Sequence, residues 1–437
     1  MEKDMISQLL DDILISIVGR VPTKEAVRTS ILSKRWRNIY KLAPNVHLQC
    51  PCLFSGDSIC HPNSNMFIDE VCRFLSFRSG FKIRKLSLHC CYMRSHGPRF
   101  EQFISSLGRL DIERLDLRSE LSFSCHHIPK IPSLKYLEME HCALIVMPSF
   151  RKFKLLNQSN SSSLQVIRLS SINVDDDVLE YLLANCLSLH SLEFRKCDLP
   201  TKLCVRGPNL QLKSLCIRDC SSTEEIELYA SNLVTFECWG LQEAKLIFDY
   251  LPKLQNISLD FKYRIDMFNV CMLFKDLPHL KSSEHSADGD CICPVDSVIG
   301  LNMVGNVTMG FNTFADLRQL SLRLINRVSL LLLVPFLEKC PLLQEFHLNT
   351  EDVEYIDRGE MTWRAHPELK KVKFTGHSGT KSEMEFALYI LKSAICLEQM
   401  HIKWRWRSET PRSVREEILT QLQDLAISNK AQLTLEY

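Results

Sequence analysis

LHSLEFRKC, Leu189–Cys197, and LKSLCIRDC, Leu212–Cys220, carry the reading on which the fold turns. In both, apolar residues hold the first, fourth and sixth places and cysteine the last. The two-residue step at Leu192/Phe194 and at Leu215/Ile217 is the period of a strand with one buried face. LKYLEMEHC, Leu134–Cys142, repeats the word, and the chain holds twelve copies. Their middle apolar residues are Leu86, Leu115, Leu137, Ile167, Leu192, Leu215, Phe236, Ile257, Leu320, Phe346, Val372 and Met400. Successive middles lie 21 to 30 residues apart, except for one interval of 63 between Ile257 and Leu320. That interval leaves room for one or two degenerate copies, with Val298/Leu301/Met303 as the candidate. Each unit leaves an apolar edge that only its neighbours can bury. The copies must therefore stack into a curved solenoid whose inner surface is a parallel sheet.

Word and spacing together resemble the leucine-rich repeat, one short strand and one returning helix or loop per unit. The resemblance gives the cysteines a role. Cys91, Cys142, Cys197 and Cys220 each fall five positions after a middle apolar residue. There leucine-rich repeats place Asn or Cys to hydrogen-bond the neighbouring backbone. Cys186 and Cys340 fall six positions before one, where a returning helix ends. Cys291 and Cys293 lack the two-residue spacing and second pair of a zinc ribbon, and read as an exposed insertion.

Ahead of the repeats stands DMISQLLDDILISIVGRVPTKEAVRTSILSKRWRNIYKLAPNVHL, Asp4–Leu48. Asp11 and Asp12 open an apolar run, where acidic groups favour a helix N-terminus. Ile13, Leu14, Ile17, Val18 and Val21 recur at helical spacing until Gly19 and Pro22 end the helix. Thr23 is placed to cap a second helix carrying Ala26, Val27 and Ile31, and Ser33 a third carrying Trp36, Ile39 and Tyr40. The string VPTKEAVRTSILSKRWRNIYKL resembles the F-box of plant F-box proteins. One departure is that Leu10 follows Leu9 where that family usually has a proline. The resemblance implies docking on the Skp-type adaptor of a cullin–RING ubiquitin ligase. Leu9, Leu10, Ile13, Ile17, Val21, Pro22, Val27 and Trp36 would hold or form that face.

At the other end, His366–Ile402 resembles the FBD segment that closes many plant F-box proteins, with Trp363 and the final EEILTQLQDLAISNKAQLTLEY as its flanks. Ser382 and Glu385 have the spacing of a capping box, ahead of Phe386, Ile390 and Leu391 on one helix face. Lys403, Arg405 and Arg407 would give the array a polar outer end. The organisation expected is an F-box over 1–48, a linker and entry helix over 49–80, leucine-rich repeats over 81–359 and the FBD segment over 360–437. The fold class is α/β.

Composition sets outer bounds. The chain has 437 residues, 45% apolar and 24% charged, which is ordinary globular usage. A formal net charge of +1 supplies no global field for nucleic acid or a membrane. MEKDMISQLLDD lacks the basic start and apolar core of a signal peptide. Nineteen cysteines are then expected as reduced thiols in the cytosol or nucleus, with neither a disulfide framework nor a metal site. No phosphate loop, catalytic triad or paired-carboxylate motif points to an enzyme, and no cofactor is implied.

Between the apolar positions of each strand word, side chains face the concave surface. In copies four to seven these include Arg168, Arg195, Arg218 and Trp239, beside Glu193 and Glu237. Arginine and tryptophan are enriched where proteins bind one another. A solvated face of mixed charge would look the same. Arg20, Lys24, Arg28, Lys34, Arg35, Arg37 and Lys41, opposed only by Glu25, fit an acidic protein partner as well as nucleic acid. The favoured function is a substrate-recognition adaptor: the F-box holds the ligase through Skp and cullin, and the repeats hold an unidentified protein. A leucine-rich scaffold with weakened ligase binding, for which Leu10 is the discriminating residue, remains open. So does a small-molecule-gated receptor, which an arginine-lined pocket would favour.

Overall fold

The computed structural model describes residues 6–50, 66–78, 82–92, 97–146, 162–207, 210–241, 245–251, 253–261, 265–266, 298–301, 317–325, 330–338, 340–351, 364–377, 379–405, 422 and 425–436. Two compact units divide the chain, residues 1–198 and 199–437. Cys291, Cys293, Met303, Trp363 and Arg407 lie outside the described residues.

The first unit begins with α1 (Asp11–Val18), α2 (Thr23–Arg28) and α3 (Lys34–Leu42). Leu14, Val18, Ala26, Trp36, Ile39 and Ala43 form their common core. Ser33 caps α3 as its sequence position implies, accepting from the Trp36 N–H at 3.3 Å. Thr23 does not cap α2. It is already the first helical residue, and its hydroxyl accepts from the His47 N–H at 2.7 Å instead. The three helices are thereby tied to the strand that follows them. Arg78, only 2% exposed, makes a second tie, donating to the Tyr40 carbonyl at 2.9 Å and to that of Ala43. Both lie at the end of α3, where helix carbonyls run short of intrahelical partners.

Six parallel strands continue this unit: β1 (Asn45–Gln49), β2 (Lys85–Tyr92), β3 (Arg114–Glu120), β4 (Tyr136–Glu140), β5 (Val166–Ser170) and β6 (Ser191–Arg195). Register brings like to like, Leu86 beside Leu115, Leu115 beside Leu137, and on through Ile167 to Leu192. Helices α4 (Met66–Phe77), α5 (Pro98–Arg109) and α6 (Asp176–Asn185) return between strands.

The second unit stacks β7 (Ser214–Arg218), β8 (Thr235–Leu241), β9 (Asn256–Phe261), β10 (Gln319–Ile325), β11 (Glu345–Glu351), β12 (Lys371–His377), β13 (Gln399–Trp404) and β14 (Gln432–Glu436), all parallel. Three further strands, Lys202–Arg206, Glu225–Tyr229 and Lys245–Tyr250, form a second parallel sheet where successive units return without helices. Ile257 in β9 pairs directly with Leu320 in β10. The long interval thus contributes no intervening strand to the stack. Val298–Leu301 runs antiparallel to β10, Gly300 beside Ile325, so it is not the degenerate parallel copy its sequence suggested. Helix α7 (Lys381–Ser393) opens with a capping box, but on Thr380 and Glu383 rather than Ser382 and Glu385. Glu383 is the N3 residue and is buried, which lets its second oxygen also accept from Thr350 at 3.1 Å.

The apolar residues of the twelve words whose side chains are described are each at most 5% exposed. Four positions after several middles the chain turns with positive φ, at His141, Ser171, Lys196, Asp219, Gly240 and Gly376. That turn delivers the cysteine behind it. The Cys142 thiol lies 3.6 Å from the Leu117 carbonyl, and that of Cys197 lies 3.2 Å from Leu169. Burial pushes the Cys142 thiol up to about 12, so it donates rather than ionises. Cys186 ends α6 and is likewise raised to about 12 by burial, as its place in sequence implies.

Candidate functional site

On the first three helices the apolar residues sort into two stripes. Leu14 and Val18 are buried, whereas Leu10, Ile13, Ile17 and Val21 are 72%, 45%, 43% and 40% exposed. Ile13 and Ile17 lie four apart, on one face of α1. Leu9 and Val27 are half-buried, Pro22 is exposed, and Trp36 is buried in the core, where it holds the helices together. Ile31, expected on the apolar face of α2, is instead 85% exposed in a 3₁₀ turn, with Leu32 at 64% beside it. Arg35 fixes the start of α1, donating to Asp11 at 2.8 Å.

The open face of the sheet in the first unit is ionic. Asp116, nearly buried, lies 3.7 Å from His89 and 3.4 Å from Arg118. Arg118 also reaches Glu138 and Glu140, and Arg168 donates to Glu193 at 3.1 Å. Arg195 is exposed in β6, its register partner in β5 being Ser170.

In the second unit Arg218 and Trp239 stand side by side in register, with the guanidinium 4.5 Å from the ring centroid. Glu237 accepts from Arg218 at 2.8 Å, and the Trp239 indole N–H donates to Ser258 at 2.8 Å. Glu237 and Ser258 then line a groove of about 500 Å³ that continues over β10–β13. Its far side carries Glu345, His347, Lys371, Lys373 and His401. Among the described residues no arginine lines it.

Among the described residues, two groups of side chains bring metal-ligating atoms within 4.8 Å of one another: Cys50 with Cys90 and Cys91, and Glu101 with His126 and His127. Glu101 is committed already. Lys130 donates to it at 2.8 Å, holding the carboxyl below the usual carboxylate range, and that ammonium repels a cation.

A family model described as At1g61320/AtMIF1, LRR domain, matches residues 74–433, and the F-box domain model matches residues 6–41. The chain belongs to the F-box/leucine-rich-repeat family. Its relatives include three proteins of Arabidopsis thaliana. FBD-associated F-box protein At1g66310 is 26% identical over 59% of this chain and 52% of its own length. Putative F-box protein At1g67390 is 25% identical over 55% and 50%. F-box/FBD/LRR-repeat protein At5g56420 is 24% identical over 99% and 98%. The chain thus spans about half of the first two and nearly all of the third.

For an F-box/leucine-rich-repeat protein, the exposed residues outside those its sequence marked for binding are informative. Ile31 and Leu32 fall between α2 and the Ser33 cap, and their signal was two adjacent apolar residues ahead of a capping serine. Lys371 and Lys373 flank Val372, and His401 follows Met400. They occupy the between-apolar positions of the later words, as Glu193 and Glu237 do in the earlier ones. No helix among the described residues is long and apolar enough to cross a membrane.

Proposed function

We propose that this chain is the substrate-recognition subunit of a cullin–RING ubiquitin ligase, its F-box docking on a Skp-type adaptor and its sheet holding the protein to be modified. The observation that carries the reading is the second apolar stripe of the F-box. Leu10, Ile13, Ile17 and Val21 face solvent while Leu14 and Val18 fill the core. A short helical unit that already has a core gains nothing from a second exposed stripe unless a partner covers it. The basic residues around it, Arg20, Lys24 and Arg37, are exposed and suit an acidic partner.

Substrate reading is assigned to the open face of the second unit, from Arg218 and Trp239 along the groove to Lys373 and His401. Trp239 offers a flat, 38% exposed contact at one end. Its partner Arg218, held by Glu237, is preorganised to exchange that carboxylate for an acidic or phosphorylated group. Arg168 and Arg195 are assigned the same role on the first unit. The residues named act by binding; ubiquitin transfer is left to the ligase they recruit.

The test is adaptor capture by full-length protein and by an Ile13→Asp/Ile17→Asp variant. Loss of adaptor in the variant at unchanged melting temperature is expected. Equal recovery overturns the reading. The same variant, used for proximity labelling, spares captured targets from turnover and identifies them.

A further inference from the structure

Cys90 and Cys91 are neighbours in β2, where a regular pleat would send their thiols to opposite faces. The pleat is not regular there. His89 pairs with Arg118 and Tyr92 with Glu120, so the two cysteines together oppose the single residue Ser119. Such a bulge sets two residues against one and re-aims their side chains. Cys50 follows β1 directly and donates its N–H to the His89 carbonyl at 2.8 Å, which pins it beside the bulge. All three sulfurs lie within 4.8 Å of one another. Cys50 and Cys90 are 1% and 4% exposed, while Cys91 is half-buried and gives access from outside. Across the bulge, Ser119 is 2% exposed and its Oγ has no hydrogen-bond partner among the described residues. A buried polar atom without a partner is uncommon and calls for a local reason, a bound ion being one.

We propose that Cys50, Cys90 and Cys91 form a three-thiolate site for a thiophilic d¹⁰ cation, zinc or copper(I). Sulfurs bound to one such ion at about 2.3 Å stand about 3.8 Å apart, so rotation of the side chains closes the site. On binding, each thiol releases its proton to solvent and the sulfur pair forms the bond to the metal. Three protein ligands leave a fourth position for zinc, on the side of Cys91, whereas copper(I) is satisfied by three. The consequence is mechanical. β1 is the strand that leaves the F-box helices, and the ion would clamp its end to β2, the first strand of the repeat words. Sequence spacing conceals the site, because Cys50 is remote from the pair and adjacent cysteines do not normally share a face.

The test uses the full chain, kept reduced and stripped with a chelator. Zn²⁺ alone is titrated against a chromophoric competitor, and Cu(I) against a copper-selective one in a second arm. One equivalent of one ion is expected to bind and to raise the melting temperature. Cys91→Ser, half-buried and therefore compatible with folding, is expected to lower affinity at least about tenfold and to abolish the thermal shift. Cys50→Ser should do the same if it folds, and Cys197→Ser, in a distant turn, should bind as wild type. Failure to take up either ion stoichiometrically overturns the proposal. So does undiminished binding by Cys91→Ser.

Discussion

The guanidinium of Arg218 rests 4.5 Å from the centroid of the Trp239 ring, the two side chains facing each other from adjacent strands. The aromatic ring and the Glu237 carboxylate share the cation. The arrangement is surface-exposed, so Arg218→Ala should cost on the order of 1 kcal/mol of stability or less. Its effect on binding should be larger. Arg218→Ala and Trp239→Ala are expected to lower recovery of proximity-labelled targets while melting temperature stays within a few degrees. Full recovery from both variants would remove this end of the groove from the recognition surface.

Under the proposed function, the two stripes of α1 would separate stability from docking. Leu14 is fully buried, and Leu14→Ala should destabilise the F-box by about 2–5 kcal/mol. Ile17→Asp, on the exposed stripe, should leave the urea midpoint nearly unchanged and reduce adaptor binding. Comparing midpoint and adaptor affinity for both variants checks the division. A large drop in midpoint for Ile17→Asp would mean the exposed stripe is structural.

Leu10 carries φ of −66°, the value a proline ring imposes. Leu10→Pro is therefore expected to fit without strain, and to stabilise by about 0.4–1 kcal/mol by narrowing the unfolded ensemble. Calorimetry reads the stability. If the proline common in F-boxes also preorganises docking, adaptor affinity rises in the same variant; a fall would show that the exposed leucine itself makes contact.

His366 is buried against Tyr389, its Nε2 2.8 Å from the phenol oxygen. Burial lowers its pKa to about 4, against an ordinary value of 6.5. The unfolded chain therefore takes up this proton before the folded one does. The contribution is complete above pH ~6.5 and falls away as pH drops towards ~4, by up to about 3 kcal/mol at roughly 1.4 per unit. Urea unfolding at pH 7, 6 and 5 should show the decline, and His366→Gln should flatten it. Glu383 acts in a lower window. Burial raises its pKa, but hydrogen bonding and charge from His377 outweigh that, so its contribution disappears only as pH falls through a depressed carboxylate value.

Gly376 sits at φ +79°, and a Cβ there would collide with the Thr350 carbonyl oxygen. Gly376→Ala should cost at least about 2 kcal/mol, through strain and displacement of the neighbouring strand. Gly97→Ala, also at positive φ but with open space around it, should cost less. Equal thermal shifts for the two would argue against the close approach at Thr350.

The strand words were legible because the signal is local. Leu192 and Phe194 point the same way whatever the rest of the chain does, and a buried face must be apolar at each such step. All twelve words became strands, and the Cys142 and Cys197 turns followed from their offset. β1 escaped as a word because Ala43, Val46 and Leu48 were absorbed into the F-box. β14 escaped because Lys430 stands where its first apolar residue would be. The sequence could not decide what depends on distant neighbours. Thr23 turned from its own helix because the His47 N–H lay within reach, and Thr380 rather than Ser382 became the cap because Glu383 was already held by Thr350 and His377. Val298–Leu301 has the apolar pattern of a repeat but runs antiparallel, since pattern fixes which face is buried and not which way the chain runs. The bulge that gathers Cys50, Cys90 and Cys91 exists only in the pairing of β2 with β3. A side chain's periodicity belongs to its own strand; its partners belong to the strands that fold beside it.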